Sequence, residues 1–203
     1  MTLSFKIITT TETELLAQCA ILHKAVYPSY LFTSRLSRSL LTKYYKEMVK
    51  EAEFSFCILH NSKVVGVVLG GYGRLKFVSD FNKNNFFHLL LTLISNPDML
   101  VRIVPRVWKS LFKSNHIYQD KVNSKEGRLY NILVCESVRG KGIAGQLVYE
   151  LQNALISSGA KSVTLTVDSK NFRAINFYEK LDFNIVGAIG NSIEMSRNFD
   201  ETV

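Results

Sequence analysis

The run Val134-Cys135-Glu136-Ser137-Val138-Arg139-Gly140-Lys141-Gly142-Ile143-Ala144-Gly145 concentrates glycines and cations where an apolar strand gives way to a helix. Glycine lets a backbone approach a ligand closely. The first amides of a helix have no partner within it and carry the positive end of its dipole. Arg139 and Lys141 add formal charge there. Such a turn can hold a phosphate or a diphosphate. Leu129 to Val134 form the incoming strand, and Ile143, Leu147, Val148, Leu151 and Leu155 recur at helical spacing beyond it.

The spacing is not that of a P-loop, which requires Gly-x-x-x-x-Gly-Lys-Ser/Thr. Gly140-x-Gly142-x-x-Gly145 does match the letters of the dinucleotide fingerprint, with Asp168 at the end of the next strand. Two features oppose that reading. Four residues, Cys135 to Val138, separate the strand from the first glycine, where the fingerprint needs a tight turn. Only 35 residues follow Asp168, too few to complete a doubly wound sheet.

Positioning this turn is a strand-turn-helix unit, and a second unit follows it. After the β-branched strand Ser162 to Val167 comes Asn171-Phe172-Arg173-Ala174-Ile175-Asn176-Phe177-Tyr178-Glu179-Lys180-Leu181-Asp182-Phe183. Arg139-x-x-Gly142-x-Ala144 resembles the pyrophosphate loop of the GNAT acyltransferase superfamily, and the second segment resembles that family's Asn-x-x-Ala-x-x-Phe-Tyr-x-Lys-x-Gly-Phe. Two motifs in this order, one helix and one strand apart, are far more specific than either alone. Asp182 stands where the family has Gly, in a helix C-terminal turn whose left-handed backbone Asp tolerates.

The resemblance implies a mixed, mostly antiparallel α/β sheet flanked by helices, with splayed fourth and fifth strands. It implies acetyl-CoA as acyl donor, with the pantetheine arm along the backbone of Ile132, Leu133 and Val134. It places the diphosphate on Arg139, Gly140, Lys141, Gly142, Ile143 and Ala144, with Asn171 and Ala174 beside the arm. Asn171 also reads as a helix N-cap. Tyr178 resembles the family tyrosine that protonates the departing thiolate, and a phenol is protonated at neutral pH. A backbone N–H near Val134 would meet the charge developing on the carbonyl oxygen. No carboxylate lies within the fourth strand; Glu126 precedes it and Glu136 follows it. His23, His60, His88 and His116 belong to no motif and read as structural or solvent-facing.

Upstream, Phe5 to Thr9 reads as a strand, followed by a helix capped by Thr11 or Thr13 and ending near Ala25. A loop over 29–36 precedes a helix capped by Ser37, and a hairpin turns across Asn61-Ser62-Lys63. Gly70-Gly71 marks a bulge or a close approach. Tyr27, Tyr30, Phe32, Ser34, Arg35 and Tyr72 are the candidate acceptor residues: rings and hydroxyls suit a sugar, and an arginine suits its phosphate. The His23-Lys24-x-x-Tyr27-Pro28 segment, the Tyr44-Tyr45 helix and a basic insertion are similar to those of GNAT members associated with bacterial surface polysaccharide synthesis. The expected reaction is N-acetylation of a small-molecule amine. Acetylation of a protein or peptide amine, and a CoA-binding module without turnover, are the alternatives.

Residues 76–125 form a helical insertion in a single domain spanning 1–203. Phe86 to Ile94 is strongly apolar, while Arg102, Arg106, Lys109 and Lys113 make a cationic stripe over 99–113, interrupted by Pro105. Neither half reaches the ~20 apolar residues of a membrane span. A packed helical pair and peripheral contact with an anionic membrane both fit. The net charge of +8 favours anionic partners, but the scattered basic residues argue against nucleic acid. Three cysteines in no metal-binding spacing, and no apolar leader, point to a cytoplasmic protein without a metal.

Overall fold

In the computed structural model, residues 3–99 and 126–199 are described. Seven strands make one sheet: β1 Leu3–Ile7, β2 Phe54–His60, β3 Lys63–Tyr72, β4 Glu126–Val134, β5 Ser162–Asp168, β6 Asn184–Ile189 and β7 Ser192–Asn198, in the order β1-β2-β3-β4-β5-β7-β6. The neighbouring strands are antiparallel except β4 and β5, which run parallel. This is the mixed, mostly antiparallel arrangement expected. The helices are α1 Thr13–Val26, α2 Phe32–Arg35, α3 Arg38–Glu51, α4 Phe77–Asn84, α5 Phe86–Ile94, α6 Ile143–Ser157 and α7 Phe172–Glu179.

β3 is almost wholly buried because both faces of the sheet are covered, which explains its unbroken apolar run. Val67 and Leu69 join Leu16, Leu41 and Tyr45 of α1 and α3 on one face. Val68 joins Leu147, Leu151 and Leu155 of α6, and Tyr178 of α7, on the other. The hairpin tip is Asn61-Ser62, both at positive φ (50° and 61°), as a two-residue turn matching the strand twist requires.

Ser37 caps α3, accepting from the Leu40 amide at 3.2 Å, as its sequence suggests. The start of α1 differs from expectation. Glu12 is its N-cap, and the Glu12 carboxylate accepts from the Thr9 amide at 2.9 Å, so neither Thr11 nor Thr13 serves. Within the expected loop over 29–36 lies the one-turn helix α2. α4 and α5 occupy the start of the insertion; Phe77 and Phe81 pack edge-on against Tyr44 of α3. The cationic stripe lies outside the described residues, apart from Met99. Among the described residues no helix is long and apolar enough to cross a membrane.

β4 is irregular. Leu69 pairs with Asn131 but Gly70 pairs with Leu129, so Tyr130 is an extra residue, and the bulge turns Tyr130 and Asn131 to the same face. Gly70 is needed here: a Cβ would stand 2.6 Å from Leu151 and 2.8 Å from the Arg128 carbonyl. What approaches this glycine is α6, not a ligand. At the other end of the site-bearing region, Asp182 has φ 64°, the left-handed turn expected at the family's glycine position. Its ion pair with Arg197 (3.5 Å) is four-fifths exposed on the Asp side and contributes little. Asp182→Gly should therefore hold or slightly raise the urea midpoint. Asp182→Val, β-branched in a left-handed site, should cost about 1–2 kcal/mol.

Candidate active site

β4 and β5 pair only through Glu126–Ser162, Gly127–Val163 and Arg128–Thr164, and beyond these residues they separate. Arg128 braces the closed end of the fork, donating to the Thr166 hydroxyl (2.7 Å) and to Glu194 of β7 (3.4 Å). The Cys135 N–H donates to the Val65 carbonyl at 2.8 Å. Antiparallel alternation then commits Leu133 and Asn131 to β3 and turns the N–H and C=O of Ile132 and Val134 toward the edge β5 has left. An extended ligand could continue the sheet there. Of the three residues expected along the arm, Leu133 departs: its backbone faces β3 and its side chain is core.

At the open end, a single 3-10 turn (Glu136–Val138) carries the chain into the glycine loop. Gly140 and Gly142 have φ 78° and 79°, and a Cβ on either would meet nothing within 4 Å. Gly142 is the N-cap of α6 and has no side chain to cover the first amides of the helix. Ile143 is buried and anchors that turn, so its backbone, not its side chain, is what a ligand could reach. Arg139 pairs with the exposed Glu136 at 3.3 Å, a contact weak enough to be exchanged for a diphosphate, and Lys141 is exposed. Open space over glycine backbone, uncovered helix amides and two cations fit the diphosphate of coenzyme A. Among the described residues no group of three or more His, Cys, Asp or Glu side chains could hold a metal ion.

Asn171 caps α7, its side-chain oxygen accepting from the Ala174 amide at 3.2 Å; it is exposed, and Ala174 is half-buried. Two turns on, Tyr178 is 5% exposed, its ring tilted against Phe177 (5.1 Å) and edge-on to Phe183 (5.5 Å). Burial, and then the nearby Tyr27, push its pKa above the tyrosine range, so it holds its proton at neutral pH. Tyr27 packs with the α1–α3 core and Tyr178 with that of α6–α7. Tyr27 is itself pushed up to about 12, by burial and then by Tyr44.

The sequence gives little warning of the polar chain behind Tyr27. The Tyr27 hydroxyl donates to Asn131 Oδ1 (3.3 Å), and Asn131 Nδ2 donates to the Tyr45 hydroxyl (3.4 Å). His23 Nδ1 lies 2.9 Å from that hydroxyl, and His23 Nε2 lies 3.0 Å from the Thr33 hydroxyl. His23, Tyr45 and Asn131 are all buried. A polar residue inside an otherwise apolar strand, Asn131, was the one available signal.

Burial, and secondarily Lys24, lower the His23 pKa from 6.5 to about 4. Between those values the unfolded chain binds more protons than the folded one, so stability falls as pH drops through the window. About 2 kcal/mol should be lost by about pH 5. Urea midpoints at neutral and mildly acid pH check this, with His23→Gln expected to lack this component.

The other acceptor candidates are dispersed. Tyr30 is exposed, and Phe32 is half-buried against the α1–α3 core. Ser34 donates to the carbonyls of Pro28 and Leu31. Arg35 donates to the Ser29 carbonyl (2.7 Å) and Asn96 (3.3 Å) and pairs with Asp98 (3.5 Å), tying the acceptor loop to the insertion. Tyr72 lies elsewhere: its hydroxyl sits 2.6 Å from Ser158 at the far end of α6, and its backbone pairs with Gly127 at the closed end of the fork. Glu126 does not precede β4 but is its first residue, paired with Ser162 at the closed end. Two open surface depressions of about 530 and 550 Å³ are lined by residues of α1, α3 and α4 and touch neither the loop nor Tyr178.

The family model described as acetyltransferase (GNAT) family matches residues 21–183. Two curated acetyltransferases, from Pectobacterium atrosepticum and Sodalis glossinidius, are 36% and 33% identical over 63 residues, 31% of this chain in each case. The chain spans 45% and 44% of the lengths of these relatives. Among solved structures, a Pyrococcus horikoshii protein superposes with TM-score 0.65 at 17% identity, over 98% of this chain and 99% of its own. The PaiA N-acetyltransferase of Thermoplasma acidophilum, solved with coenzyme A, gives 0.59 at 13% identity over 98% and 100%. An aminoglycoside 6′-acetyltransferase gives 0.61 at 15% identity over 96% of each chain. At these identities the likeness is one of fold.

Proposed function

The chain belongs to the acetyltransferase (GNAT) family, and from that premise we propose that it transfers the acetyl group of acetyl-CoA to a primary amine of a small molecule in a ternary complex. One observation carries the reading: an unpaired β4 edge leads into an open, amide-rich loop, and the side chains of its Ile132 and Val134 pack on the core that holds the buried Tyr178. Gly140 to Ala144 and Arg139 hold the diphosphate, and Ile132 and Val134 pair with the pantetheine arm. The amine nitrogen attacks the thioester carbon, and negative charge gathering on its oxygen is met by the Val134 N–H. As the C–S bond breaks, Tyr178 gives its proton to the sulfur and regains one from the amine by way of water.

The acceptor enters over the α1–α2 side, past Tyr27, Tyr30 and Phe32. Their rings suit an amino sugar, carried on a nucleotide or lipid as in the synthesis of surface polysaccharides. Arg35 is already engaged with Ser29, Asn96 and Asp98, so it contributes by shaping the loop. All three cysteines are free, which supports a reducing cytoplasm. Peripheral membrane contact through 99–113 would bring a lipid-linked acceptor close. Co-sedimentation with anionic vesicles tests that contact; absence of binding at low salt rejects it.

The deciding experiment is calorimetry with coenzyme A, with NADH as control, followed by thiol release from acetyl-CoA across a panel of amines and amino sugars. Binding of NADH with no binding of coenzyme A would overturn the assignment.

A further inference from the structure

We propose that Tyr27 is the hydrogen-bond acceptor that orients the incoming amine, and that His23, Tyr45 and Asn131 are positioning residues that fix the direction of its hydroxyl. This deepens the acetyl-transfer reading and rests on it. With Asn131 Oδ1 turned to Tyr27 and Nδ2 to Tyr45, one arrangement of protons satisfies every member of the chain. Tyr27 donates to Asn131 Oδ1, so the amide turns Nδ2, which can only donate, toward Tyr45. The second hydrogen of Nδ2 points to the sulfur of Met48 at 4.0 Å. The Tyr45 oxygen therefore accepts from Asn131, and its own hydrogen requires an acceptor.

Tyr45 is fully buried, so a stranded hydroxyl hydrogen would be costly. His23 Nδ1, 2.9 Å away, is the acceptor at hand. A ring that accepts at Nδ1 carries its proton on Nε2, where the Thr33 hydroxyl receives it at 3.0 Å. Reversing the ring would aim two donors at the Tyr45 oxygen and leave its hydrogen unsatisfied. The whole chain thus runs one way, from Tyr27 at the C-cap of α1 through Asn131 on β4, Tyr45 on α3 and His23 on α1 to Thr33 on α2.

The consequence lies at the cleft end. With its only hydrogen committed to Asn131, the neighbour of Ile132 on the stretch of β4 that β5 has left, Tyr27 keeps its lone pairs for a donor at the fork. An amine that donates one N–H to that oxygen keeps its own lone pair for the thioester carbon. An ether or a tertiary amine has no hydrogen to offer. The same chain ties the acceptor loop, through Thr33, to the strand on which the thioester rests.

Nitrogen-15 imidazole spectra of the wild-type protein at neutral pH test the direction without any acceptor. A neutral His23 protonated on Nε2 is expected; protonation on Nδ1, or on both nitrogens, overturns the proposal. Kinetics with glucosamine as the probe amine test the consequence. Tyr27→Phe and Tyr45→Phe should each lower kcat/KM for glucosamine about tenfold, the scale of one neutral hydrogen bond, with coenzyme A affinity unchanged by calorimetry. Because Tyr45 acts through Tyr27, the double variant should be no worse than Tyr27→Phe. Multiplying losses would mean the two act independently and would overturn the proposal. His23→Leu should lose as much as Tyr45→Phe. His23→Gln, whose amide can accept from Tyr45 and donate to Thr33, should recover most of the activity. A protein that binds no coenzyme A would instead sink the acetyl-transfer reading and leave the spectra to decide the chain.

Discussion

Gly142→Val should weaken coenzyme A binding about a thousandfold while leaving the protein folded. Two physical effects combine in this loss. The position has φ 79°, which a β-branched residue reaches only with about 1–2 kcal/mol of strain, so the loop relaxes and its amides turn away from a common focus. The new side chain would also project into the space above the first turn of α6, where no protein atom lies within 4 Å of a Cβ. That space is the proposed place of the diphosphate, so nearly all of the steric cost falls on the ligand. Gly142→Ala carries less strain and a smaller obstruction, and should lose about ten- to thirtyfold. Calorimetry measures both, and thermal melting separates strain from lost binding: a Tm drop of a few degrees with unaltered affinity would place the diphosphate elsewhere. Raising the salt should weaken wild-type binding as Arg139 and Lys141 are screened.

The sequence reveals this loop plainly and the rest of the site unevenly, for identifiable reasons. Glycines at a strand-to-helix turn announce themselves because most other residues reach those φ values only with strain. The α6 core positions repeat at helical spacing, and Leu147, Leu151 and Leu155 are all fully buried. Asp182 in a glycine position correctly marks a left-handed turn. The fork, by contrast, is a matter of where two strands stop pairing. Arg128–Thr164 is the last pair, and nothing in the side chains of Leu129 to Val134 states that. Only the family resemblance supplies it.

Gly70-Gly71 hints at the bulge, but nothing in β4 states that Tyr130 is the extra residue, which decides that Asn131 faces Tyr45 and Met48. A buried chain assembled from α1, α2, α3 and β4 has no signature in any one segment, so His23 reads as an ordinary structural histidine. Tyr72 lies away from the site for a related reason. Proximity to the end of a strand suggested the site, but the antiparallel register of β3 on β4 carries Tyr72 to the closed end of the fork.

The second large effect is expected at Tyr178. Tyr178→Phe should lower kcat by about a hundredfold or more, the usual scale of a lost general acid, with coenzyme A affinity changed less than about twofold. The ring remains in place, since its packing on Phe177 and Phe183 needs no hydroxyl, so folding is spared. What disappears is a proton held in a dry setting. Burial keeps the phenol protonated well beyond neutral pH, while the leaving thiolate, deprived of water in the same setting, is a strong base that takes a proton readily. The direction of the effect with leaving group is diagnostic. An acyl donor whose thiol is more acidic needs less help, so the gap between Tyr178 and Phe variants should narrow with such a donor. If kcat and coenzyme A affinity fell together, the hydroxyl would be holding the cofactor. A gap that ignored the acidity of the leaving thiol would assign Tyr178 to positioning the thioester beside Tyr27, with the proton arriving through water.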